Sequence, residues 1–354
     1  MSLAAPPNIV AALQPALDRA HSLHRRSDLT IVSVICVNHC QWRNTARLVG
    51  QLHQSASVSQ QQSNVLVVDN GSSATPLVAR LASQVRLKRW RRNRGFARAV
   101  NAGCRATEGR WCLLLNPDMS VPPGFLDQVC RVAQTLERDR PRVGVVGFRL
   151  LNSDGTAQGS CGREPTFAGT LAGLLRGRAK RKCQTIHQTT GPVEVDWVTG
   201  CCLLVRRQCL DDLGGFDESF FLYYEDVDFC RRARLAGWQV LYDPSVWAVH
   251  HWPLHARAVP AALRVMTRHA LLTYSARHWS GWSARLLGGL IWSEACLRRA
   301  WAWLTGQADD HTQFARLCRL IALLRAGRYF AARLELLRVA RSLPAASAPQ
   351  DGQR

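Results

Sequence analysis

From Leu29 onward, short apolar, β-branched runs recur along the chain, separated by stretches whose apolar residues fall at helical spacing. Runs at Ile31–Val37, Val65–Val68, Trp111–Leu115, Val143–Val146 and Cys202–Val205 read as buried strands, because they are almost continuously apolar, with Ser33 the polar exception, rather than alternating. Asn44–Gln54 predicts a helix between the first two. Pro122-Pro123 leads into another over Phe125–Leu136, with proline at the helix start, where its missing N–H costs nothing. Strands alternating with helices predict an α/β domain with a mainly parallel central sheet.

Further along, Phe148–Gln158 contains Asn-Ser-Asp-Gly flanked by extended residues and predicts a hairpin. Thr170–Thr190, with Arg176, Arg178, Lys180, Arg181 and Lys182 among glycines and polar residues, reads as a mobile basic loop. Glu225–Leu235 predicts a helix stopped by Gly237, and Gln239–Val249 returns extended. Beyond Trp252 helical periodicity takes over, with 15 Arg, 5 acids and six of the chain's Trp up to Arg354 counting Trp252 itself. These changes divide the chain into an extension (1–28), a catalytic domain (29–255), a basic, Trp-rich helical region (256–343) and a tail (344–354). There is no internal repeat.

The 354 residues are 47% hydrophobic, enough for a large core, which excludes disorder for the bulk of the chain. No apolar run is long enough to span a bilayer. The formal charge of +21, from 46 Lys+Arg against 25 Asp+Glu, predicts a phosphate-rich partner: nucleic acid, anionic lipid or a diphosphate substrate. Thirteen cysteines, odd in number and scattered through apolar runs without CxxC or zinc spacing, read as reduced thiols in a cytoplasmic protein. The first 28 residues lack the apolar region of a secretion signal.

Five segments carry candidate chemistry. Asp69 ends the second strand, where open α/β sheets bind ligands and a carboxylate can accept a nucleobase N–H; Asp-Asn-Gly-Ser is also ordinary turn chemistry. Asp118 ends Leu-Leu-Leu-Asn-Pro-Asp in the same layout and suits Mg²⁺ or Mn²⁺ shared with a diphosphate, although Asn-Pro-Asp is a common turn too. Asn93-Arg94-Gly95-Phe96 opens a helix whose free N–H groups, with Arg94 and Arg98, face phosphate. In Gly214–Arg232, Glu225, Asp226 and Asp228 fall in a helix's first turn directly after four aromatics, Phe220, Phe221, Tyr223 and Tyr224. Acids favour helix N-termini, but the dipole does not require an aromatic surround, and a carboxylate in an apolar pocket suits a general base. His250, at the end of the last extended segment, is a candidate second metal ligand.

In order along the chain stand Val-Ile-Cys-Val-Asn at 34–38, Val-Asp-Asn-Gly-Ser at 68–72, Asn93-x-Gly95-Phe96 to Asn101-x-Gly103, Leu-Asn-Pro-Asp at 115–118, and Trp197-Val-Thr-Gly200 leading to Gly215-Phe-Asp and Glu225-Asp-Val-Asp228. From about Leu29 to Trp252 this order resembles the family-2 glycosyltransferases of the GT-A, or nucleotide-diphospho-sugar transferase, fold, particularly rhamnosyltransferase-like and galactofuranosyltransferase-like bacterial members. The resemblance implies an inverting transferase moving a rhamnose-like sugar from a nucleoside-diphosphate sugar to a glycan or polyprenyl-diphosphate-linked acceptor in cell-surface polysaccharide synthesis. It implies Asp226 as the base with Glu225 beside it, and Asp118 and His250 on a divalent cation, Mg²⁺ or Mn²⁺. Asp69, Asn38, Asn93, Arg94, Gly95, Asn101 and Asn116 would serve the donor, and Trp197 and Gly200 the acceptor and sugar site. Asn116 stands for the first acid of the usual acid-x-acid pair, and Asn38-His39-Cys40 where an aromatic-Asn ending is common.

The donor motifs are complete before 255, so the C-terminal region needs its own account. Its Trp and Arg residues suit amphipathic helices at an anionic membrane, which would place the protein peripherally on the inner face; packing on the catalytic domain or a dimer interface is the alternative. Two rival functions remain: a basic nucleic-acid-binding protein and a non-catalytic sugar-nucleotide scaffold. No nucleic-acid-binding motif is present, and the acids cluster while the arginines spread, so no nucleic acid is expected.

Overall fold

A computed structural model describes residues 30–73, 75–175, 189–253 and 259–343. The first half alternates strands and helices: β1 (Val32–Asn38), α1 (Trp42–Leu52), α2 (Ala56–Ser59), β2 (Ser63–Asn70), α3 (Pro76–Ala82), β3 (Arg86–Trp90), α4 (Phe96–Cys104), β4 (Trp111–Leu115), β5 (Met119–Ser120), α5 (Phe125–Asp139) and β6 (Val143–Leu151). There follow β7 (Ala157–Gln158), β8 (Cys161–Gly162), α6 (Phe167–Leu175), β9 (Val193–Glu194), β10 (Trp197–Val198), β11 (Cys202–Arg206), α7 (Arg207–Asp212), α8 (Glu225–Leu235) and β12 (Gln239–His250). Four helices close the described chain: α9 (Ala261–His278), α10 (Gly281–Leu304), α11 (Ala308–Arg325) and α12 (Tyr329–Arg341).

Ten strands form one sheet in the order β3-β2-β1-β4-β11-β6-β12-β5, with β7 on β6 and β9 on β12. β3, β2, β1 and β4 run parallel, β11 runs against both β4 and β6, and β12 runs with β6. The register Asn38↔Asp69, Cys36↔Leu115 and Leu115↔Cys202 brings the ends of β1, β2 and β4 and the start of β11 to one edge. β12, parallel to β6 and hence to β4, also ends there, at His250. The sheet's two faces bury separate clusters. Val32, Val34 and Cys36 face Leu48 and Phe125, whereas Ile35 and Val37 share the other side with Val100, Phe229 and Tyr274. That period-2 division along β1 explains why Val32, Val34, Ile35, Cys36 and Val37 are all apolar: both faces are covered.

The Asn152–Thr156 turn closes the expected hairpin between β6 and β7. Part of the basic loop expected at Thr170–Thr190 is instead helical, because α6 reaches Leu175. Its Phe167 packs edge-on against Trp279 and Trp282, a tertiary contact that the glycines of this segment conceal in sequence. The arginines and lysines at 176–182 lie outside the described residues, as do the 1–28 extension and the 344–354 tail. β3 falls in the basic stretch Arg86–Arg92. It is an edge strand, and Arg86, Lys88 and Arg89 there discourage pairing with another chain. The described cysteines are free thiols, most of them buried.

Candidate active site

Asp69 is fully buried at the end of β2, where its carboxylate is already engaged. Oδ2 accepts from Arg89 Nε at 3.1 Å, and Oδ1 from Asn38 Nδ2 at 3.2 Å and from the Ser72 N–H at 3.1 Å. Asn38 in turn accepts through Oδ1 from the Gln41 N–H and the Thr45 hydroxyl, so it pins the start of α1 to the end of β1. A nucleobase N–H can reach Asp69 by replacing Arg89, whose side chain is the more exposed partner. Arg89 was missed in the sequence because its neighbours are basic too.

One loop further, Gly95 has φ +96°, and a Cβ there would lie 3.0 Å from the Phe221 carbonyl oxygen. Only glycine fits, and the Phe96 N–H takes that carbonyl at 2.7 Å. Asn93 Oδ1 accepts from Asn70 Nδ2 and from the Gly95 N–H, while the Arg94 N–H binds Asn70 Oδ1. Arg94 stacks its guanidinium over Trp90. Asn101, expected at the donor, is buried in α4. Its amide binds both the N–H and the carbonyl of Phe216, each at 2.8 Å, so it acts as a clamp on the 215–218 loop.

Asn116 follows β4, and its N–H binds the Cys201 carbonyl at 3.0 Å. Asp118 is nearly buried, with Oδ2 lying 3.6 Å from His250 Nε2. Burial pushes the His250 imidazole down, but Cys201 and Asp118 beside it more than offset this and bring it up to about 10. Among the described residues no three His, Cys, Asp or Glu side chains group closely enough to hold a metal ion. Asp118 and His250 form a two-ligand pair, which fits a hard cation that takes its remaining oxygens from a diphosphate and water.

Asp226 sits in the first turn of α8, where Oδ2 accepts the Gly200 N–H at 2.9 Å and Oδ1 the Val227 N–H at 2.9 Å. A Cβ on Gly200 would approach the Asp226 Cβ to 3.3 Å, so glycine lets the two segments touch. Gly200 and Cys201 therefore bridge the site: one residue holds Asp226, and the next holds Asn116 and faces His250. Glu225 is buried beside Asp226. Trp197, expected at the sugar, is buried in the core instead, its indole N–H bound to the Arg163 carbonyl at 2.9 Å.

The chain enters α8 through Tyr223 and Tyr224, at φ 73° and 66°, a left-handed pair that costs about 1–3 kcal/mol per residue. The C-terminal helices hold this strained turn. Tyr224 packs on Tyr274 of α9, ring centroids 5.4 Å apart, and Arg277 pairs with Asp217 at 2.8 Å. Arg333 of α12 lies over the Phe221 ring and donates to the Arg94 and Glu218 carbonyls. The expectation that the donor site is complete without the C-terminal region is thus corrected: α9 and α12 brace its aromatic loop. No sequence signal shows this, because each contact joins residues far apart in the chain.

The chain is 30% identical over 271 residues to the N-acetylglucosaminyl-diphospho-decaprenol L-rhamnosyltransferase of Mycobacterium tuberculosis, across 71% of this chain and 86% of that protein. It is 27% identical over 149 residues to the rhamnosyltransferase WbbL of Escherichia coli K12, across 42% of this chain and 54% of that one. The structure resembles that of GalNAc-T7, solved with UDP, GalNAc and Mn²⁺, with a TM-score of 0.53 at 18% identity over 70% of this chain and 48% of that one. The GT-A fold expected from the motif order is therefore the fold observed. Residues 33–271 match the model described as glycosyltransferase like family 2, and the chain belongs to that family.

Proposed function

We propose that this glycosyltransferase moves L-rhamnose, or a closely similar deoxyhexose, from a nucleoside-diphosphate sugar to a hydroxyl of a glycan or polyprenyl-diphosphate-linked acceptor in cell-surface polysaccharide synthesis. The transfer proceeds by single displacement with inversion. The names of the mycobacterial and Escherichia coli relatives support the sugar, and the mycobacterial name the lipid-linked acceptor. The observation that carries the mechanism is the Gly200–Cys201 bridge, which sets the Asp226 carboxylate and the Asp118–His250 pair on one sheet edge.

In this reading the nucleobase lies against Asp69 and the diphosphate against the turn at Asn93–Gly95. Arg94 meets the phosphate charge. Asp118 and His250 would hold Mg²⁺ or Mn²⁺, and such a cation would supply charge neutralisation for the departing diphosphate. The Gly200 and Val227 N–H groups orient the Asp226 carboxylate, which takes the acceptor hydroxyl's proton as that oxygen forms its bond to the anomeric carbon. The C–O bond to the diphosphate breaks on the opposite face. Positioned proton transfer of this kind contributes about 10²–10⁴ in rate.

The test is transfer of labelled sugar from nucleoside-diphosphate rhamnose, and from glucose, galactose and mannose donors, to a polyprenyl-diphospho-N-acetylglucosamine acceptor. A rhamnosylated product with the anomeric configuration inverted is expected. Preferential transfer of another hexose would overturn the sugar, and a retained configuration would overturn the role of Asp226.

A further inference from the structure

We infer that the outer face of α10 is a docking surface for an anionic lipid bilayer. The inner face of this helix buries Leu287, Ile291 and Ala295 against α9 and α11. Its outer face leaves Trp282, Leu286, Leu290, Leu297, Trp301 and Leu304 exposed, Leu297 by 73%, Trp301 by 65% and Leu304 by 69%. With 3.6 residues per turn these six side chains fall within about 100° of the helix circumference, in a stripe about 33 Å long. A stripe of that kind, touched by Phe167 at its Trp282 end and otherwise exposed as above, is an open amphipathic face rather than scattered surface apolarity.

Charge and residue type identify the occupant. Arg285 and Arg299 are exposed along one flank of the stripe together with Trp292 and Trp303. The helix's single acid, Glu294, is held within the protein by Arg268 at 2.6 Å and Arg298 at 2.9 Å. Two copies meeting through this face would bring together arginines on chains of +21 each, whereas anionic headgroups would neutralise them. Indoles at both ends of the stripe, Trp282 and then Trp301 with Trp303, suit the headgroup layer, where an apolar body and a polar N–H are both satisfied. Among the described residues no helix is long and apolar enough to cross a membrane, so α10 lies along the surface. The inference stands whatever the acceptor proves to be. Should the acceptor be lipid-linked, the docked helices also brace the donor loop through Arg333.

Flotation of the full chain with vesicles tests this. Phosphatidylcholine vesicles containing about 30% phosphatidylglycerol should carry the protein upward, pure phosphatidylcholine much less, and added salt should weaken the association. Combined Leu297→Ser, Trp301→Ser and Leu304→Ser should weaken binding at least about 10-fold, with donor binding and melting temperature unchanged, since these side chains are exposed. Arg285→Glu with Arg299→Glu should remove the preference for anionic vesicles, and decides the matter if the serine variant folds poorly. Protein left in the aqueous fraction with anionic vesicles at low salt would overturn the inference. So would serine and glutamate variants that float like the parent, or a lipid-free dimer that the serine variant dissociates.

Discussion

His278, the last residue of α9, donates its Nε2–H to Asp228 Oδ1 at 2.8 Å, joining the C-terminal helices to the turn that carries Asp226. Because the acceptor is a carboxylate, the Nε2 tautomer is fixed. Arg232 Nε takes the other oxygen at 2.7 Å, so a fully buried carboxylate has a cationic or polar partner on each side. Burial pushes the Asp228 carboxyl up, but His278 and Arg232 pull it further down, leaving it below its ordinary range.

His278→Ala should therefore cost about 1–3 kcal/mol, the expense of a buried acceptor that has lost one donor. A depressed carboxylate contributes stability above its unfolded value, near about 3.9, and loses it as pH falls through the lower folded value. Removing His278 raises that folded value, so the acid-unfolding midpoint should move to higher pH. His278 also positions the Asp226 turn without touching substrate, and turnover should drop about 10-fold, with partial recovery in His278→Gln, which can still donate. An unchanged acid midpoint together with equal turnover in the alanine and glutamine variants would assign it ordinary packing.

Asp226→Asn keeps the shape that accepts the Gly200 N–H but removes the proton acceptor. Turnover should fall at least about 100-fold while sugar-nucleotide affinity, measured by calorimetry, stays near the parent value. Near-normal turnover would move the base to another residue, with Glu225 the nearest candidate.

The central strands were legible because the sheet is covered on both faces: Trp111–Leu115 is apolar throughout, and Val32–Val37 is broken only by Ser33, whose hydroxyl accepts the Gly109 N–H. β3 was not, since an edge strand with exposed Arg86, Lys88 and Arg89 has no buried face to create a period. Within the site, Asp69, Asp118, Asp226 and His250 were legible from their positions at the ends of apolar runs or at a helix start. What the sequence could not show was which polar side chains they face. Asp69–Arg89, Asp228–His278 and the Cys201 contact to His250 arise only when distant segments meet, as do the bonds of Asn101 to Phe216 and of Trp197 to Arg163.

Gly95→Ala tests the phosphate turn. Its backbone, at φ +96° and ψ 157°, lies in a region essentially reserved for glycine, and the added Cβ would meet the Phe221 carbonyl at 3.0 Å. The strain should cost about 1–3 kcal/mol in urea unfolding and loosen the Phe96–Phe221 contact. KM for the donor should rise more than turnover falls. Unaltered stability and donor KM would show that the turn tolerates a side chain.

Asp118→Ala separates cation binding from base catalysis. With Asp118 gone, His250 is the remaining protein ligand of the pair, too little to hold Mn²⁺ or Mg²⁺ even with a diphosphate present. Donor affinity should then become independent of added Mn²⁺, where the parent should bind more tightly with the ion than in chelator. The Gly200–Asp226 hydrogen bond does not involve Asp118, so the base should keep its placement, while loss of the nearly buried Asp118–His250 pair should lower the melting temperature. Calorimetric titration of the nucleoside diphosphate, with Mn²⁺ and with chelator, reads both proteins on one scale. If the alanine variant keeps the parent's full Mn²⁺ enhancement, the cation is held elsewhere and the assignment of Asp118 and His250 fails, while the role of Asp226 stands untouched.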